Sequence, residues 1–185
     1  MNKLLYIPLL FLPFLSVSQV NQKDAKGKKQ GIWNKKYPGS NTLMYEGQFK
    51  DDKAIGEFTY YYENGKIKSV IKHIPNSNLS FATFYFENNA ILSRGFFENN
   101  LKDSIWYSYN LYGALSSKET FEKNQLNGET IIYYTEGQID NNVLIPLSVS
   151  NYKNDTLNGL YTEFFSTGKI KKKVFFKMDL RLVNG

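Results

Sequence analysis

The chain has 185 residues, no cysteine and a formal net charge of +6. That length suits one domain, and the missing cysteine excludes disulfides, thiolate metal sites, a cysteine nucleophile and a lipid anchor on an N-terminal cysteine. Hydrophobic residues at 42% exclude compositional disorder, and 14 Tyr with 14 Phe tilt the chain toward pleated structure. The modest positive excess assists attraction to anionic surfaces, although solubility is its plainer reading.

Residues 1–18 read as an export signal. Met1-Asn2-Lys3 is a basic start, Leu4 to Leu15 is uncharged and apolar, and Ser16-Val17-Ser18 places small residues before Gln19. The apolar run is about half the ~20 residues a membrane span needs, and Pro8 and Pro13 interrupt it. The expectation is cleavage before Gln19 and a secreted, periplasmic or cell-envelope location. Residues 19–30 follow as a flexible basic lead-in, and a repeat domain fills residues 31–185.

The repeat is the strongest signal. Gly56-Glu57-Phe58-Thr59-Tyr60-Tyr61-Tyr62-Glu63-Asn64-Gly65-Lys66-Ile67 aligns with the segments that start at Gly128 and Gly159. All three carry a leading Gly, two adjacent aromatics, a second Gly nine residues on (Gly65, Gly137, Gly168), and an Ile two residues later. Degraded copies extend the frame, so units start near Gly31, Gly56, Ser80, Ser104, Gly128 and Gly159. Three successive intervals of 24 residues are not expected of an irregular β-rich loop protein.

The columns predict one β-hairpin per unit. Adjacent aromatics such as Tyr61-Tyr62, Tyr133-Tyr134 and Phe164-Phe165 are read as strand neighbours that send one ring to each side of the sheet. The second Gly tolerates positive φ and marks the hairpin turn. The return strand ends on another aromatic, Phe49, Phe97, Phe121, Tyr152 or Phe176, before a polar link. No segment shows helical periodicity with caps. The predicted fold is all-β: an elongated, single-layer antiparallel meander of about six stacked β-hairpins, stabilised by stacking because one hairpin alone is marginal. Lys26, Lys28 and Lys29 at one end and Lys171-Lys172-Lys173 at the other are placed to blunt the sheet edges.

Tyr45-Glu46-Gly47-Gln48-Phe49, the link Lys50-Asp51-Asp52-Lys53, and Gly56-Glu57-Phe58 with its turn Gly65 resemble a MORN repeat. The roughly 24-residue spacing is similar to the bacterial MORN-variant subfamily, some members of which are classed as antitoxin- or immunity-like components of toxin–antitoxin systems. The resemblance covers about residues 30–184 and implies a repeat scaffold that binds rather than catalyses. Ser80 and Ser104 depart from the pattern by replacing the leading Gly.

Catalytic, metal and cofactor residues are not expected. His73, the single His, falls in the aromatic closing column beside the irregular link Ile74-Pro75-Asn76-Ser77-Asn78 and reads as a packing residue. Asp51-Asp52 share a column with Asn99-Asn100 and Lys123-Asn124, which marks a polar turn rather than a calcium loop. No phosphate loop, serine elbow or zinc spacing occurs. Two features fall outside the pattern. Unit five runs 31 residues against 24, through an apolar insertion containing Val143, Leu144, Ile145 and Leu147. Insertions of this kind often lie on a binding face, with an extended hairpin as the plainer alternative. Lys169, Lys171 and Lys173 share one strand face by alternation, as a solvated edge or a surface for anionic groups. The expected partner is a protein. The alternative is an envelope glycan or an anionic membrane surface met by the aromatic ladder and the basic last unit, and export argues against nucleic acid.

Overall fold

The computed structural model describes residues 19–136 and 143–177. Residues 1–18, read above as an export signal, and Gly137 lie outside the described residues. Among those described there is no helix. The strands are β1 (Gln22–Lys23), β2 (Lys29–Lys36), β3 (Leu43–Lys50), β4 (Lys53–Tyr61), β5 (Ile67–His73), β6 (Leu79–Tyr85) and β7 (Ile91–Glu98). They continue as β8 (Leu101–Tyr109), β9 (Leu115–Glu122), β10 (Gln125–Tyr133), β11 (Pro146–Lys153), β12 (Thr156–Leu157), β13 (Gly159–Phe164) and β14 (Ile170–Phe176). All 14 join one antiparallel sheet in chain order, with the short β12 set aside on β11. The predicted all-β meander is therefore the observed fold.

Two turn chemistries alternate along the sheet. At one end the hairpins of units two, three, four and six close as Tyr62–Lys66 does: the Lys66 carbonyl accepts from the Tyr62 N–H at 2.8 Å, the Tyr62 carbonyl accepts from Gly65, and Gly65 sits at φ +82. This is a type I turn followed by a left-handed residue. Gly113 and Gly168 repeat it, and Asn89 at φ +67 replaces the Gly in unit three. At the opposite end Asp51-Asp52, Asn99-Asn100, Lys123-Asn124 and Asn154-Asp155 all have two consecutive positive φ values. That is the two-residue type I′ link, which suits Asn and Asp because their short polar side chains tolerate the left-handed region.

Hydrogen bonds at both ends also tie neighbouring units together. Tyr37 Oη donates to the Tyr61 carbonyl at 2.7 Å, Tyr62 Oη to that of Tyr85 at 2.6 Å, and Tyr134 Oη to that of Phe164 at 3.0 Å. At the link end the N–H of Asp52 donates to Lys29 O, that of Asn124 to Lys102 O and that of Asp155 to Leu126 O. The Asp52 and Asp155 carboxylates accept the backbone N–H of Lys29 and Leu126 in return. Neighbouring hairpins are thus held at both extremities, beyond the ladder itself.

Two expectations need correction. The second aromatic of each pair does not project from the opposite face: Tyr62 follows the end of β4, so alternation no longer applies, and its ring runs along the sheet to the next unit. The leading glycines differ in place: Gly159 opens β13, whereas Gly56 and Gly128 sit inside β4 and β10. Gly56, at φ +64, sits inside β4, where three residues of β4 oppose the single Gly47 of β3. It is the left-handed residue of a β-bulge. Residues 19–30 are no flexible lead-in, because β1 pairs with β2 and Asp24 closes the turn by accepting the N–H groups of Lys26 and Lys28.

One face carries the packed rings. Partners in register place Phe58, Ile71, Ala82 and Gly95 on it together. Trp33, Phe49 and Phe58 meet edge to face at 5.9 and 5.1 Å, and Phe97 meets Trp106 at 4.9 Å. Each such pair contributes roughly 0.5–1.5 kcal/mol beyond burial. Small residues lie beneath them: Ser69, Ser80, Ser117 and Ser150 are all buried. Gly47 and Gly95 are the extreme case, since a Cβ there would meet the Phe58 or Trp106 ring at 2.4 Å.

Candidate functional site

The repeat-structural residues form the frame and not a site. Gly56, Gly128 and Gly159 hold positive φ in the strands that open units, and Gly65 and Gly168 hold it in turns. Tyr61 donates to Glu46 Oε1 at 2.5 Å across one face. Burial, then that hydrogen bond and the Glu46 charge, push its phenol up to about 12. Tyr61 therefore stays a neutral cross-strand tie, while Tyr62 ties units end to end. Gly137 lies outside the described residues.

The two outlying features meet. Tyr134 donates its N–H to the Ile145 carbonyl and its hydroxyl to the Phe164 carbonyl, so one residue spans from the insertion to the last hairpin. Val143 and Leu144 are 53% exposed, beyond the start of β11. Phe165 and Ile170, which flank the last turn, are 49% and 55% exposed. Ile145 and Leu147 are half-buried, with Leu147 in β11, so the insertion divides into an anchored part and a projecting apolar part.

The lysines do not share one face. Ile170 pairs with Phe164 and Lys172 with Glu163, so a bulge falls at Lys171 and breaks the alternation that would have aligned the three. Lys169 belongs to the turn, where its carbonyl accepts the Phe165 N–H. Lys171 Nζ pairs with Glu163 Oε1 at 2.7 Å, which holds its ammonium above the usual range, and it lies 6.0 Å from the Phe165 ring centroid. Lys173 stands in the ladder opposite Thr162, exposed and with no acidic partner among the described residues. The aromatic ladder is largely spent on packing: Lys29 covers Trp33 and Phe49, and Lys102 covers Trp106 and Phe121, at 4.5–4.8 Å.

His73 packs edge to face on Phe58 at 5.6 Å, in the position its column implies. Burial and then the Lys53 charge hold its imidazole below the ordinary value of 6.5. Among the described residues no three His, Asp or Glu side chains gather as a metal site. Beside His73 lies a groove of about 660 Å³ between the first residues of β4 and the Ile74–Asn78 loop. Lys53, His73, Asn76, Asn78, Asn99 and Asn100 supply its polar groups. Sequence columns pointed to the irregular link but not to the asparagines around it. The available signal was the longer link together with Ser80 in place of the leading Gly.

A single antiparallel sheet of stacked hairpins, tied unit to unit at both ends, defines a β-hairpin repeat protein. Residues 55–73 and 157–178 match the MORN repeat variant family. These two segments fall in the second and sixth units and support a MORN-repeat protein, a class of protein- or membrane-lipid-interaction modules. No curated protein matches the chain. Among solved structures, a mutant of S. aureus TarM in complex with Fondaparinux, alpha-GlcNAc-glycerol and UDP aligns at a TM-score of 0.38 and 12% identity, over 56% of this chain and 19% of that one. A second structure of TarM aligns at 0.36 and 11%, over 58% and 20%. The chain thus covers about a fifth of the length of those proteins, and likeness at that level carries no functional argument.

Proposed function

We propose that this chain is an exported, non-enzymatic repeat scaffold that binds another protein, in an antitoxin- or immunity-like role. The carrying observation is the apolar patch at the turn end of the last two units, where Tyr134 joins the insertion to the final hairpin. Val143, Leu144, Phe165 and Ile170 stand open there, while rings such as Phe49, Phe58, Phe97 and Trp106 are engaged in packing. Exposed apolar side chains gathered at one end of a sheet, with charged residues beside them, have the composition of a protein interface. The signal-like residues 1–18 support export.

The test is a pull-down from envelope fractions with the intact chain and with a Val143→Ser, Leu144→Ser double variant. One co-purifying protein, lost with the double variant, is the expected result. An identical or empty set of captured proteins for both forms overturns the reading. Mass spectrometry of the exported chain is expected to find Gln19 at its N-terminus. A second reading rests on Lys169, Lys172 and Lys173, which are exposed and lack acidic partners among the described residues. They would meet an anionic membrane surface, and flotation with anionic vesicles that persists in a Lys172→Glu, Lys173→Glu variant counts against it.

A further inference from the structure

The groove beside His73 lies at the link end of the hairpins, opposite the end that carries the insertion, and exists because the repeat breaks there. The β3/β4, β7/β8 and β9/β10 junctions each have a two-residue link and a bulge. Between β5 and β6 the link is the longer Ile74–Asn78 loop, and Ser80 pairs directly with His73 without a bulge. The inter-unit tie shifts as well, since Asn99 rather than the second link residue donates its N–H to Asn78 O. The result is an open space where the other junctions close.

We propose that this groove binds an acidic saccharide, a hydroxylated ligand carrying a carboxylate or sulfate. Lys53 lines it without an ion pair among the described residues. The nearest link carboxylates are committed elsewhere: Asp52 accepts from Lys29 N–H, and Asp51 from the Gln30 amide at 2.8 Å. No acidic residue lines the groove. Among the described residues the side-chain amides of Asn76, Asn78, Asn99 and Asn100 make no hydrogen bond, in contrast to Asn64 and Asn88, which cap their own turns. A carboxamide both donates and accepts, which matches neighbouring hydroxyls, and the ammonium supplies the charge for the acid group. Ile55 and Leu79 add apolar wall for the C–H face of a sugar ring. Nothing in the groove offers the carboxylates that a cation would need.

His73 is the single histidine of the chain, so its ring protons give one resolved NMR reporter inside the groove. The intact chain is titrated with trigalacturonate, with neutral galactotriose and with sodium sulfate. Trigalacturonate is expected to shift the His73 resonance saturably with Kd on the order of 1 mM, the range of a few hydrogen bonds and one charge. At least ten-fold weaker responses are expected from the other two probes. Lys53→Met, at an exposed position, is expected to weaken trigalacturonate binding about ten-fold while leaving the thermal midpoint in place. Saturation with trigalacturonate is also expected to raise the His73 pKa. The charge facing the imidazole is Lys53, whereas Glu57 and Lys72 pair on the other face of β4 and β5. No saturable shift, an equal response to galactotriose or to sulfate, or an unchanged Kd in Lys53→Met each overturns the proposal. None of these outcomes touches the apolar patch, so the protein-binding reading stands or falls separately.

Discussion

The β3/β4 and β5/β6 junctions occupy the same place in consecutive units and are built in opposite ways. At the first, Gly56 takes a left-handed conformation, β4 bulges, and the Phe58 ring swings over the Gly47 that the ladder skips. At the second, the ladder runs on without a bulge, and the bulk is exchanged: Ile71 stands where Gly47 would, and Ala82 where Phe58 would. The β7/β8 junction returns to the first design, with Ser104, Trp106 and Gly95 in the three roles. At these two junctions bulge, bare Gly and large ring form one device. The β9/β10 bulge opposes Asn127, Gly128 and Glu129 to Thr120, with neither a bare Gly nor a ring in those roles. At β5/β6 both bulge and device are absent, and a smooth ladder and an open groove take their place.

The largest effect is expected from breaking the device at its tightest point. Trp106, 1% exposed, is predicted to cost about 4 kcal/mol when cut to Ala. Gly95→Ala is predicted to cost about 3 kcal/mol, since its methyl meets the indole and not open space. The double variant is predicted to lose clearly less than the sum, because the clash disappears with the ring. Urea denaturation of the three chains measures this, and strict additivity would show that ring and Gly are not coupled.

Backbone strain separates the two bulged junctions on a smaller scale. Ser104 holds φ +59, where Gly56 holds +64. Ser104→Gly is predicted to stabilise the chain, and Gly56→Ser to destabilise it, each by about 1 kcal/mol. Opposite shifts of the thermal midpoint are the check. The inter-unit ties offer a comparable test. Tyr62→Phe removes the bond to the Tyr85 carbonyl and is predicted to cost about 1 kcal/mol. Unit three already carries Phe86 in that column, so Phe86→Tyr is predicted to restore a tie and raise stability slightly. Equal midpoints for Tyr62→Phe and the parent chain would show the tie to be energetically idle.

The smallest effect sharpens the unbulged junction. His73 has a folded pKa below its ordinary value of 6.5. The unfolded chain therefore takes up the proton first, and the contribution of His73 is fully present above about pH 6.5. It is lost as pH falls from there toward the folded pKa. His73→Phe, the residue type its column holds at Phe97 and Phe121, is predicted to remove that part of the acid-side slope. Denaturation midpoints across this window, compared between the two chains, decide it.

Much of the fold was legible because hairpin stacking is nearly one-dimensional. Gly or Asn in the described turns, Asn or Asp in the two-residue links and an aromatic near the end of the return strands report local geometry directly. The role of Gly47 and Gly95 was not legible, since it depends on a ring from the next strand lying over a residue the ladder skips. The shared face assigned to Lys169, Lys171 and Lys173 failed for a related reason: one extra residue at Lys171 resets the alternation. The insertion was visible as length and apolar composition, but its meeting with the last hairpin rests on both hydrogen bonds of Tyr134.

By itself, the sequence determined the number and order of hairpins, the chemistry of their turns and the places where the pattern breaks. Those properties are set by residues close in the chain, through allowed φ values and the two-residue period of a strand. Only the tertiary structure decided which rings lie over which glycines, which lysine finds a carboxylate, and that a broken link opens into a groove lined by four asparagines. Those outcomes depend on register between units, where a single bulge moves every following side chain to the other face.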